Sequence, residues 1–251
     1  MDTALPRRWY GVEIVLVLGL SLGRSGVFAV VDFLSSLTAG VPLADQTVTL
    51  NPSASPRPLL DLTLQLLRIG FGLVVVALVW YLLRRSGEGL RTLGADGSQP
   101  ARDLRRGAVL AAVIGGTGIL WYLAAHALGI NLSVAAQGLP DQWWRTPVLV
   151  LGALENAIVE EVVVLGFVLH RLRQMGWGWP GAIWVSALIR GSYHLYQGVG
   201  GFVGNVVMGL VFGWLFKRWG RVMPMIVAHA LIDTVAFIGY ALLAGRVGWL
   251  P

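Results

Sequence analysis

The sequence predicts an all-α, polytopic transmembrane helix bundle of about seven helices (seven to eight), with its chemistry in the last four. Three observations predict this. Hydrophobic residues fill 56% of the 251 positions and charged residues only 13%, whereas soluble domains are roughly a quarter charged. Apolar runs long enough to cross a hydrocarbon core of about 30 Å recur along the chain. Basic residues gather in alternate connections between those runs, as expected of cytoplasmic loops.

The runs cover residues 11–37, 59–83, 107–130, 147–170, 179–196, 201–216 and 223–244. The first follows Arg7 and Arg8 in the manner of a signal peptide. It continues past Arg24 without a clear small-residue cleavage site, so it is read as a span. Arg84, Arg85, Arg91, Arg102, Arg105 and Arg106 crowd the second connection, Arg171 and Arg173 the fourth, and Lys217, Arg218 and Arg221 the sixth. The other connections hold little beyond Arg57 and Arg145. The positive-inside rule then places the amino terminus in the cytoplasm and the carboxyl terminus outside; the expected location is a bacterial plasma membrane, as an integral protein. The expected division is 1–145 for amino-terminal helices and loops, 146–244 for the functional bundle and 245–251 for a short tail.

The net charge of +6 belongs to those loops, so no nucleic-acid partner is expected. The expected partners are membrane lipid and a peptide or membrane-associated protein. No cysteine is present, which excludes thiol catalysis and disulfides. A nucleotide-binding glycine loop is also missing, which argues against ATP-driven work. Trp143 and Trp144 are placed at the outer interface and Trp177 and Trp179 at the inner one. Gly209 and Gly213, spaced i,i+4, form a small-residue face for close helix approach.

The fourth run carries Glu160 and Glu161 side by side. A carboxylate deep in the bilayer costs several kcal/mol unless paired, protonated or facing water, so intramembrane acids mark function by default. With a rise of 1.5 Å per residue, Glu160 lies about 16 Å from Arg171, and Arg190 about 16 Å and His194 about 22 Å from Trp179. His229 and Asp233 lie about 12 and 18 Å from Arg221, and Asn205 about 18 Å from Lys217. One layer of polar residues thus crosses four consecutive helices. Asn156 and Glu160, Arg190 and His194, and His229 and Asp233 are each spaced i,i+4, so each pair shares a face. Antiparallel packing of helices four and five brings Arg190 level with the two acids.

A buried glutamate near a histidine can deprotonate water. A second His/Asp face can hydrogen-bond the oxyanion formed when water attacks a carbonyl. The same groups allow a metal held by His194, His229 and a carboxylate, and spacing alone does not choose between the two.

Glu160-Glu161, then His194, then His229 with Asp233 four residues on, resemble the CPBP family. That family contains type II CAAX prenyl proteases and bacteriocin-processing or Abi-like immunity proteins, with the signature EExxxR, FxxxH and HxxxN or HxxxD. The resemblance covers about residues 155–233. It implies an intramembrane glutamic endopeptidase without cofactor or metal, with Glu160 and His194 activating water and His229 and Asp233 forming the oxyanion site. Its substrate would enter from the bilayer or the cytoplasmic side. Glu161, Arg190 and Asn205 are supporting residues. Two positions depart: Leu165 stands where the signature has arginine, and Arg190 where it has phenylalanine. Arg190 is expected to take over as partner of Glu161. The rival readings are a proton-coupled transporter using Glu160, Glu161 and His194, with Arg24, Asp32, Asp61 and Arg68 as further charges, and a catalytically decayed scaffold of the same fold.

Overall fold

A computed structural model describes residues 6–247, so the tail assigned to 245–251 lies outside the described residues from 248 onward. It is an all-α membrane bundle. In chain order the helices are α1 (Arg7–Gly19), α2 (Leu22–Thr38), α3 (Pro58–Arg85), α4 (Pro100–Ala127), α5 (Arg145–Glu160), α6 (Leu169–Gln174), α7 (Trp179–Ser192), α8 (Val199–Trp219) and α9 (Met223–Leu243). Proline occupies the first or second position of α3, α4, α7 and α9, where a missing N–H costs no intrahelical bond. Among the described residues, α3, α4, α8 and α9 are each long and apolar enough to cross a membrane.

The first expected span is broken. α1 and α2 meet at 53°. Ser21 leaves helical geometry and its hydroxyl donates to the Val17 carbonyl at 2.6 Å, a back-bond of the kind that bends helices.

The fourth expected span runs unbroken from α5 to α6, but its middle, Glu161–Val168, is a π-helix. Wide turns of this kind leave the ordinary i,i+4 ladder and occur frequently at functional sites. Here the Val164 carbonyl accepts a 2.8 Å hydrogen bond from Ser186 Oγ of α7. The fifth span is shorter than expected: α7 stops at Ser192, and His194 opens the turn before α8 rather than continuing a helix.

The bundle has two unlike halves. At the end holding the basic loops, an apolar core includes Leu83, Leu93, Val163, Phe167, Leu169, Phe212 and Met225. Two buried arginines lock this end. Arg171 reaches Glu88 at 2.7 Å and Glu13 at 2.9 Å, and lies over the rings of Tyr10 and Phe167. The Glu13 contact is close but not aligned as a hydrogen bond. Arg221 binds Asp103 at 2.7 Å and Asp96 at 3.0 Å.

At the opposite end, loops 39–57 and 128–144 pair as two short parallel strands, β1 (Thr47–Thr49) and β2 (Ser133–Ala135). Asn131, buried, ties this cap to α8 by accepting from Gly201 N at 2.9 Å. Trp143 is exposed as expected of an interfacial residue, but Trp144 is buried against Val148, Leu149 and Phe237. Asp61 is satisfied by Ser53 and the Ala54 amide, both at 2.8 Å, so it anchors a loop.

Candidate active site

Glu160 closes α5 and Glu161 opens the π-helix, both almost fully buried. Arg190 projects from α7 between them. Its Nη2 lies 3.1 Å from Glu160 Oε2 and also binds Glu161 Oε1. α7 reaches this depth because α8 presents glycine to it. A Cβ on Gly209 would lie 2.8 Å from Ala187 Cα, and one on Gly213 would lie 2.8 Å from Ile183 Cγ2. The small-residue face expected from the sequence is therefore the α7–α8 contact. The Arg190 guanidinium also lies over the Phe212 ring of α8.

From α9, His229 Nδ1 donates to Glu161 Oε1 at 2.8 Å, and its Nε2 lies 3.5 Å from Asp233 Oδ2. The Asn156 amide donates to the same Asp233 oxygen at 2.9 Å. Three elements thus converge through one continuous polar chain from Glu160 to Asn156. Burial makes such a chain costly to leave incomplete.

His194 stands apart from this chain. Its Nδ1 is 3.0 Å from the Arg190 carbonyl. A carbonyl only accepts, so Nδ1 carries the proton and Nε2 is left as an acceptor. The Tyr193 ring packs beside the imidazole, and Tyr193 Oη donates to Glu160 Oε2 at 2.8 Å.

A cavity of about 680 Å³ connects these groups. Glu160, His194, His229, Asp233, Asn156 and Asn205 all line it, whereas Glu161 and Arg190 do not. Of the expected residues, then, four candidate catalytic groups share a cavity and two supporting groups lie behind its wall. Asn205 lines the cavity but donates to Gly201 of its own helix at 3.0 Å. Tyr193, Tyr196 and Glu155 are cavity residues that the signature does not include. The carboxylate of Glu155 rests against Gly72 of α3, where any side chain would collide with it.

Among the described residues no group of three or more His, Asp or Glu side chains converges as a metal-holding set. His229 is held between two carboxylates and His194 by a carbonyl, so the three-ligand arrangement open to the sequence is not assembled.

Residues 142–235 match the family model described as type II CAAX prenyl endopeptidase Rce1-like. This segment is CPBP-like. The match runs from the turn before α5 to just past Asp233 and so contains every CPBP-like site residue. No curated protein and no solved structure matches the chain. Within the CPBP-like segment the position of the signature arginine holds no charge. Leu165 is buried in the apolar core, and the guanidinium that meets Glu161 comes from Arg190 on α7.

Proposed function

We propose that this protein is an intramembrane endopeptidase that hydrolyses a peptide bond with a water activated by Glu160 and His194. The observation that carries the proposal is the shared cavity: Glu160, His194, His229 and Asp233 line one space of about 680 Å³ inside an apolar bundle. Intramembrane polar residues that meet in a cavity are the ones that repay their cost through function.

In this mechanism both protein bonds to Glu160 fall on Oε2, leaving Oε1 to hold the water. Glu160 accepts the water's proton as oxygen attacks the scissile carbonyl. His194, with Nε2 as acceptor, orients the same water. His229 and Asp233 face the carbonyl oxygen, where a proton or hydrogen bond stabilises the developing oxyanion. The amide nitrogen leaves with the proton taken up by Glu160. Glu161 and Arg190 act through position, holding Glu160 and His229 in register across three helices. No step is routed through a metal. The substrate is a peptide or membrane-associated protein; the membrane is a bacterial plasma membrane, and the basic loops support a cytoplasmic amino terminus.

One observation favours a second reading. Arg190 pairs directly with Glu160, which opposes proton uptake there and suits a scaffold that has lost catalysis. Comparison of membrane peptides from cells expressing wild type, Glu160→Ala and His194→Ala decides between them. The protease reading expects peptides that accumulate only with the wild type. Identical profiles from folded proteins support the scaffold instead.

A further inference from the structure

The cavity is one-sided. Its walls come from the first half of α3, the second half of α4, α5 as far as Glu160, the first half of α8, α9 from His229 to Phe237, and the cap loops at Asn51 and Leu139. All of these lie toward the β1–β2 end. Beneath Glu160 the path toward the basic loops is filled by the Val162–Leu172 stretch and its apolar neighbours. Beyond that core the Arg171–Glu13–Glu88 and Arg221–Asp96–Asp103 groups close the end. A second cavity of about 760 Å³, between α2 and α3, shares Ser25, Arg68, Tyr193 and Tyr196 with the first. This second cavity lies at the level of the α1–α2 break and the middle of α3, on the cap side of the apolar core.

Arginine-rich connections stay in the cytoplasm. The basic clusters of this chain all lie at the closed end, following α3, α6 and α8 and preceding α4. We propose that the cavity takes its substrate from the non-cytoplasmic face, so the segment cleaved is a polypeptide already carried across the membrane. The step that supplies this substrate is therefore translocation, and the carboxyl-terminal tail of a cytoplasmic protein cannot reach the site. The polar rim supports a peptide occupant: the side-chain nitrogens of Asn51, Gln65 and Gln197 are bonded within the protein, which leaves their amide oxygens as acceptors for a backbone laid along the wall. The assignment deepens the endopeptidase reading and rests on it for the word substrate, but the direction of opening does not depend on catalysis.

The absence of native cysteine makes the test direct. Single variants Asn51→Cys and Gln197→Cys report the cavity, and Arg91→Cys, exposed in the basic connection, reports the opposite face. Cells expressing each variant are treated with a membrane-impermeant sulfonated maleimide before and after permeabilisation. We expect full labelling of positions 51 and 197 in intact cells, and labelling of position 91 only after permeabilisation. The reverse pattern overturns the proposal, as does failure of 51 and 197 to label under either condition. Outward labelling with no Glu160-dependent peptides would sink the protease reading alone. Inward labelling with such peptides would sink the outward opening alone. Where peptides do change, their cleavage sites must map to extracytoplasmic segments.

Discussion

Arg190 Nη2 lies 3.1 Å from Glu160 Oε2 while the same guanidinium binds Glu161, so one buried cation joins two adjacent acids. Removing one partner of a buried ion pair strands charge in low dielectric and costs about 3–5 kcal/mol. Arg190→Met should destabilise the protein by that order, and adding Glu161→Gln should recover much of the loss. Thermal unfolding in detergent compares the two, and equal melting temperatures would show that the pair is not what Arg190 is for. Arg190→Phe with Leu165→Arg restores the signature pattern. It should keep more folding and cleavage than Arg190→Phe alone if Arg190 has replaced the signature arginine.

Glu160→Gln keeps shape and loses the base. Cleavage should fall about 10²–10⁴-fold, the usual scale for a general base, with melting close to wild type. Tyr193→Phe removes one hydrogen bond to Oε2 and should lower turnover less, with little change in apparent substrate affinity. A Glu160→Gln enzyme of full activity would remove Glu160 from the mechanism.

Gly209 sets the distance between α7 and α8. A leucine there meets the Ala187 backbone and cannot be absorbed by moving one flexible side chain. Overpacking of this kind costs about 1–3 kcal/mol. Because Arg190 Cδ is 3.4 Å from the same position, cleavage should fall further than stability. Gly239→Leu, in open space on α9, serves as the neutral comparison.

The loop at the basic end has its own pH signature. Hydrogen bonds from Ser98 and the Arg221 guanidinium hold the Asp96 carboxyl down to about 2, below its ordinary value of 3.8. A depressed folded value means that Asp96 stabilises the fold when ionised. Its contribution is complete above about 3.8 and fades as pH falls toward 2. Asp96→Asn should lower the melting temperature at pH 6 and narrow the gap to wild type near pH 2. A constant difference across that range would show that ionisation of Asp96 is not involved.

Much of the candidate site's geometry was legible in the sequence because its residues obey a local rule. Adjacent acids and i,i+4 pairs inside apolar runs stand out wherever burial is costly. His229 and Asp233 share a face as their spacing requires, and Arg190 meets Glu161 at the depth that helix rise predicts. The break between α1 and α2 was hidden, since it depends on Ser21 bonding back to Val17. The π-helix was hidden as well: Glu161–Val168 reads as ordinary apolar helix, and Ser186, distant in sequence, satisfies its carbonyl. Trp144 looked interfacial because composition carries no record of which indole the cap loops cover.

The sequence by itself determined that the chain enters a membrane, where most of its spans lie, and which polar residues carry the cost of being there. Those properties are sums over neighbouring residues, since transfer to the bilayer is counted segment by segment. Tertiary structure alone decided that Glu160 faces a cavity while its neighbour Glu161 lies behind the wall with Arg190. It also decided that the cavity is walled by the half of the bundle away from the basic loops. Both follow from how helices pack, through contacts between residues far apart in the chain, where a glycine on α8 or a bend after α1 changes what every other helix can reach.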